Sequence, residues 1–326
     1  MLLHKKSIGL TAPKTANERS PVLVKKRIAH GFIVFFRYLF LLALSYVVLF
    51  QLFYMISYAI RPVSDTFDPS VVWLPSRLTA ENFKDAFSAL EFVPSLIHSL
   101  TIGQVSAIIE VFVCSIIAYG FARFHFREKN LVFFLVIITI IVPAQMLIVP
   151  MYLNYSHFDI LGILNVFREW TGVDLRINLL NTGWTFYLPS LFGVGLRSGL
   201  FIYIYRKFFE KLPRELEEAA YVDGAGPLQT FFRVIMPSSG VVFLTVTIFS
   251  VIWHWNESYM AGMYMTDNKP LAVMLENFAS AARAAGSDSR NARMAACLLF
   301  ILPMLLMYAV MQRKFVQSID RVGIVG

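Results

Sequence analysis

Runs of roughly 20 apolar residues recur along this chain, and that is the length a helix needs to cross a bilayer. The first extends from about Tyr38 to Ala59. Others follow from about Ile97 to Phe121, Leu131 to Tyr152, Tyr187 to Tyr205, Val241 to Trp255 and Met294 to Gln312. Of the 326 residues, 57% are hydrophobic and 15% charged, whereas soluble domains carry roughly a quarter charged residues. A water-soluble fold has nowhere to put so much apolar side chain, and only helices or closed barrels satisfy their backbone in hydrocarbon. The runs predict an all-α, polytopic membrane protein with six transmembrane helices. A cleaved signal peptide is a poor alternative for the first run. The run is too long, the polar stretch before it is too long, and no small-residue cleavage site follows.

Three regions follow from this division. Residues 1–37 form a basic arm, read as disordered up to about residue 30. Residues 38–312 form the six-span domain, and residues 313–326 a short tail. Six spans put both termini on one side, and positive charge identifies that side. The arm, the Arg123–Lys129 loop, the Arg206–Arg233 loop and the tail hold 19 Lys and Arg, and the opposite loops hold 9. Without the arm the comparison narrows to 11 against 9, and the short Arg123–Lys129 loop still points the same way. Both termini are therefore expected in the cytoplasm. The net charge of +8 then reflects topology and contact with anionic lipid rather than nucleic acid. Cys114 and Cys297 both lie in apolar runs, where a thiol behaves as a small hydrophobe. Neither a disulfide nor a metal site is expected.

The longest polar interruption on the inner side has its own punctuation. Pro213 and the acids Glu215, Glu217 and Glu218 mark a helix start near Pro213, with negative charge at the positive end of the dipole. Asp223-Gly224 stops that helix, since Gly takes the left-handed conformation without a Cβ clash. Pro227 opens a second helix through Val234, and Pro237 ends it. Leu216, Ala219, Ala220 and Val222 are too small to fill a core and suit a helix that another protein approaches closely.

This stretch resembles the "EAA" loop of the permease subunits of bacterial ABC importers: Glu-Ala-Ala, three residues, Gly, nine residues, an apolar triplet and Pro. Glu218, Ala219, Ala220, Asp223, Gly224 and Pro237 fall in that pattern. Leu78-Thr79-Ala80-Glu81-Asn82-Phe83, with Thr79 as a helix cap, resembles the "LTxENY" element of carbohydrate-type permeases. Ala118-Tyr119-Gly120-Phe121-Ala122-Arg123-Phe124 is similar to their "AYAFARF" run, and the C-terminal stretch to their "QRYFVRGLTxGAVKG" ending. The resemblance is to the maltose-type second permease and covers about Leu78 to Gly326, least well at 153–184.

That resemblance implies an assembly in the bacterial inner membrane. The chain would form half of a translocation pathway for a sugar or oligosaccharide. A second permease subunit would supply the other half, with an ATPase dimer inside and a solute-binding protein outside. No stretch of this chain matches a phosphate-cradling Gly-rich loop, so ATP and Mg would sit on the ATPase and no cofactor on this chain. The short helix would enter a groove of the ATPase, with Glu218 paired to a basic residue there. Two other readings remain. One is the same architecture for another solute, such as a glycerol phosphodiester, polyamine or anion. The other is an intramembrane enzyme, for which no paired catalytic residues are found.

Within the spans, Glu110 and Arg197 stand near mid-membrane, where a charge costs roughly 2.5–3.5 kcal/mol on insertion scales. Either they face one interior and pair, or Arg197 reaches an interface and Glu110 is protonated against a neighbouring helix. Trp253-His254-Trp255-Asn256-Glu257 ends the fifth run and resembles a family "WxWND" run. Trp253, Trp255, Asn256 and Glu257 form an interfacial belt or line the path of a sugar, whose C–H faces stack on aromatic rings. Val142-Pro143 and Val149-Pro150 should bend or break the third run. Segment 153–184 offers an interfacial helix around Ile163, Val166 and Phe167.

Overall fold

A computed structural model describes residues 21–323 apart from 72, 160, 161, 285, 287 and 288, with side chains described from residue 30 to 312. Residues 1–20 of the expected arm and 324–326 of the expected tail lie outside the described residues. The chain divides into two units, Met1–Tyr54 and Met55–Gly326. The first holds most of helix α1, Pro21–Ala59. This helix starts well before Tyr38, so residues 21–37 are helical rather than part of a disordered arm. Pro21 fits the first turn, where its missing N–H costs nothing, and no breaker follows. Its part from His30 is long and apolar enough to cross a membrane. Phe32, Leu42 and Tyr46 are exposed on it, as suits a helix whose solvent is hydrocarbon.

The regular elements among the second unit's described residues are helices, with one isolated antiparallel bridge between Phe158 and Ile177. After α1 come α2 (Glu81–Ala89) and α3 (Phe92–His98). The N-cap position is Ala80 rather than the expected Thr79, whose Oγ1 accepts from the Glu81 N–H at 3.2 Å just outside the helix. A wide π turn, Ser99–Gln104, joins α3 to α4 (Val105–Arg123). Together Phe92–Arg123 makes one membrane-length helix, the expected second span. Its inward face carries Ser106, Ala107, Glu110, Cys114, Ala118 and Ala122. Small side chains at helical spacing let a neighbouring backbone come close.

The third run is broken. Helix α5 (Lys129–Ile141) ends at Val142-Pro143, which are extended, and the segment Ala144–Ser156, which holds α6 (Ile148–Ser156), leaves at 97° to it. Pro143 makes the break. Pro150 sits in the first turns of α6, where a missing N–H is tolerated. Segment 153–184 contributes α7 (Ile163–Thr171), bounded by left-handed Gly162 and Gly172.

The expected fourth span is not one helix. Helix α8 (Trp184–Leu191) stops, and α9 (Ser198–Phe209) restarts after a turn with positive φ at Gly193 and Arg197. Gly193 and Gly195, unremarkable in an apolar run, let the chain turn here. Then come α10 (Glu215–Val222), α11 (Pro227–Thr230), a π turn over Phe231–Ile235 and α12 (Met236–Ser238). The chain bends by 84° into α13 (Gly240–Trp255), the expected fifth span. Short helices α14 (Tyr259–Tyr264), α15 (Leu271–Glu276) and α16 (Phe278–Ala284) precede α17 (Arg290–Gly323). Helix α17 carries the sixth span and stays helical through most of the expected tail. Among the described residues three helices are long and apolar enough to cross a membrane, or five if each bent pair is one span. A sixth is not found among them because the fourth run is split.

The core that positions the functional residues surrounds α4. Tyr119, Phe121, Phe201, Tyr205, Phe209, Phe231, Ile235 and Val246 bury against one another between α4, α9, the π turn and α13.

Candidate functional site: the α9–α13 loop and the buried face of α4

The loop between α9 and α13 folds as a knuckle. Glu215, Glu217 and Glu218 occupy the first turn of α10. The helix starts at Glu215, just after the expected Pro213. Its other end closes with two reversed hydrogen bonds: Gly224 N–H to the Tyr221 carbonyl at 3.0 Å, and Ala225 N–H to the Ala220 carbonyl at 2.9 Å. That pattern needs a left-handed residue, and Gly224 supplies it at φ 82°. Space is not the constraint, since nothing lies within 4 Å of a Cβ placed there. Pro237 does not end the return helix as expected. It lies in the first turn of α12, and the bend comes at Ser239-Gly240.

Each residue turns α10 by about 100°, so residues three apart, such as Glu217 and Ala220, share a face. Glu218, Ala219, Asp223 and Val222 are exposed, Val222 at 88%. With Leu216, Tyr221, Leu228 and Phe232, also exposed, they present a small apolar surface with acids on it. Glu217 and Ala220 are buried. The Glu217 carboxylate accepts from Arg123 Nε at 2.5 Å, and Arg123 Nη2 donates to the Leu212 carbonyl at 2.9 Å. From the sequence alone Glu217 is a helix-start acid and Arg123 one of the basic residues of the inner loop, and nothing there pairs them. The signal available was a lone Arg ending the "AYGFARF" run.

Glu110 is fully buried on α4. Its carboxylate accepts from Ser198 Oγ at 2.6 Å and Ser250 Oγ at 2.9 Å. His254 Nδ1 is 3.8 Å away and 2.9 Å from the Ser250 carbonyl oxygen. Ser198 begins α9, so the acid also stands at the positive end of that helix. Gly195 is required by close approach: a Cβ there would come 2.7 Å from Ser190 Oγ and 3.0 Å from Glu110 Oε1.

Of the two readings for Glu110 and Arg197, direct pairing is not formed. Arg197 lies in the left-handed turn before α9, at φ 63°, with its guanidinium 5.7 Å from the Trp253 ring centre. Trp253 also stacks on Phe249 at 5.5 Å. Trp255 points elsewhere, buried and 5.6 Å from Phe300 of α17. Asn256 is exposed and bonds back to the Ile252 carbonyl at 2.8 Å. Glu257 Oε1 accepts from the Met260 N–H at 2.7 Å, at the start of α14. The run thus splits, with Trp253 beside Arg197, Trp255 against α17 and Glu257 near enough to Arg197 to feel its charge.

Comparison with known proteins places these features. The solved structure of a bacterial ABC transporter involved in the import of the acidic polysaccharide alginate has a chain of like fold. It matches at a TM-score of 0.67 and 20% identity, over 94% of this chain and all of that one. The osmoprotective compounds uptake permease protein GgtD of Synechocystis is 28% identical over 270 residues, 80% of this chain and 82% of its own. The trehalose transport system permease protein SugB of Mycobacterium tuberculosis is 26% identical over 281 residues, 85% of this chain and 93% of its own. The sn-glycerol-3-phosphate transport system permease protein UgpE of Pectobacterium atrosepticum is 27% identical over 225 residues, 69% of this chain and 71% of its own. Residues 111–321, which take in α4 from the residue after Glu110 onward and the whole knuckle, match one family of transport subunits. The chain belongs to the binding-protein-dependent transport system inner membrane components, a polytopic helical family of permeases rather than enzymes.

Proposed function

We propose that this chain is one of two permease subunits of an ATP-driven importer for a sugar or oligosaccharide, and that the α10–α11 knuckle is where an ATPase drives it. The observation that carries this reading is the division of α10. One face is fixed to α4 through Glu217, and the other presents Glu218, Ala219 and Val222 to a partner. Exposed small residues admit close packing, and Glu218 stands ready for a basic residue on the ATPase. ATP and Mg belong to that ATPase, and a solute-binding protein delivers the solute from outside. The excess of Lys and Arg on the knuckle's side supports a cytoplasmic knuckle and cytoplasmic termini.

The sugar assignment rests on relatives such as the trehalose permease. The glycerol-3-phosphate relative, together with Arg197 beside Trp253, supports an anionic solute as the second reading. Uptake of labelled trehalose and of labelled glycerol 3-phosphate, in cells with and without this chain, separates the two. For the knuckle, Glu218→Lys should abolish co-purification of the ATPase. Val222→Cys should react in whole cells only with a membrane-permeant thiol reagent. Retention of the ATPase by Glu218→Lys, or labelling of Val222→Cys by an impermeant reagent, would refute this reading.

A further inference from the structure

We propose that Arg123 and Glu217 are positioning residues, forming the link through which displacement of the knuckle is passed into α4. The inference rests on the reading of the knuckle as the ATPase-docking element. It adds the element that receives the motion and the two side chains that pass it on.

Three observations carry it. First, the pair is buried, with side chains 6% and 7% exposed, so it is shielded from the water that weakens surface ion pairs. Second, Arg123 holds the knuckle at two points, the Glu217 carboxylate in α10 and the Leu212 carbonyl in the link from α9. Its planar fork suits such a hold, which a lysine cannot duplicate. Third, one turn above Arg123, Tyr119 of α4 packs between Phe209 and Phe231, with ring centres 6.2 and 5.1 Å away. The end of α4 therefore touches the end of α9, the knuckle and the return helix. A knuckle attached only by its chain connections would swing on the link to α9 and on Ser239-Gly240. Held to Arg123, it cannot move without α4.

From Arg123, α4 runs 13 residues to Glu110, about 20 Å at 1.5 Å per residue. There it is bonded to the start of α9 and the middle of α13 through Ser198 and Ser250. A push at the knuckle thus reaches the break between α8 and α9 along a rigid helix, not only through α9.

The test uses the purified complex with its ATPase. The reporter is Ile108→Cys, on α4 and 56% exposed, with Cys114 and Cys297 replaced by alanine. Its labelling rate with a methanethiosulfonate is compared before and after trapping with ATP and vanadate. Glu217→Gln and Arg123→Gln should keep the ATPase bound yet lose about fivefold or more of the nucleotide-dependent change, the low end of ordinary coupling strengths. The exchanged pair Arg123→Glu with Glu217→Arg should recover most of the response. Arg123→Lys, which keeps the charge, should fall between wild type and Arg123→Gln. A full response in either Gln variant would overturn the proposal. So would an exchanged pair no better than the weaker single variant, or an Arg123→Lys that responds as fully as wild type. ATPase binding by Glu218→Lys is read separately, so failure of the docking reading is distinguishable from failure of the link.

Discussion

The two attachments of α4 differ in kind. At Arg123 two opposite charges meet in a buried pair and leave no slack. At Glu110 a single acid meets two hydroxyls, with a histidine ring close by and, among the described residues, no Lys or Arg paired to it. Parting an ion pair strands two charges, which is costly in a buried place. Parting a serine from a carboxylate strands only one side, because a helical serine can turn back to a carbonyl of its own helix. The knuckle end of α4 is accordingly held by a contact that must move as a unit. The Glu110 region is held by contacts that can be exchanged one at a time. A transporter that drives at one end and rearranges at the other calls for that difference.

The comparison can be broken most sharply at Arg123. Arg123→Ala should destabilise the protein by about 3–5 kcal/mol, the cost of an uncompensated buried charge, measured as thermal unfolding in detergent. Glu110→Leu removes the acid and leaves the serines free to bond to their own helices, so about 1–3 kcal/mol is expected by the same measurement. Should the second variant lose as much as the first, the two attachments are equally stiff and the contrast fails. Gly224→Ala probes the shape of the knuckle apart from its hold on α4. With φ at 82°, a Cβ should cost about 1–2 kcal/mol, visible as weaker ATPase binding with α4 unaffected.

The smallest effect is a control remote from both attachments. The Asp65 carboxyl is held below its ordinary value by the Ser76 hydroxyl and backbone N–H, at 2.7 and 2.8 Å. Because the folded value is depressed, this contribution is complete above about pH 4. It is lost as pH falls through the lowered folded value. Amide exchange at Ser76 should rise only in acid, and Asp65→Asn should remove that dependence. A pH response at Ser76 in Asp65→Asn would show another group at work.

Much of this was readable from residue order, and the exceptions have physical causes. The knuckle was legible because its determinants are local: acids at a helix start, Gly224 at its end, Pro227 reopening the chain. The second span was legible because a run of apolar residues without a strong breaker has one outcome in hydrocarbon. The fourth run failed because two glycines inside an apolar stretch read as ordinary membrane sequence until tertiary packing shows the turn. The Glu110 partners failed for a different reason. Ser198 and Ser250 lie 88 and 140 residues away, and serines are too common in apolar spans to stand out. Arg197 was the more obvious partner by charge, but the turn that places it next to Trp253 carries it away from the acid. Between Glu217 and Glu218, pattern matching singled out the exposed one, and only burial reveals the work of its neighbour.

Those separations bear on how the chain is made. Synthesis runs from the N-terminus, so Glu110 enters the membrane long before the ribosome has reached either serine. Through that interval the helix bearing the acid is an unfinished piece, with neither hydroxyl yet available to meet its carboxyl. Its final place is settled only when the later helices arrive, which makes the second span among the first inserted and among the last to come to rest.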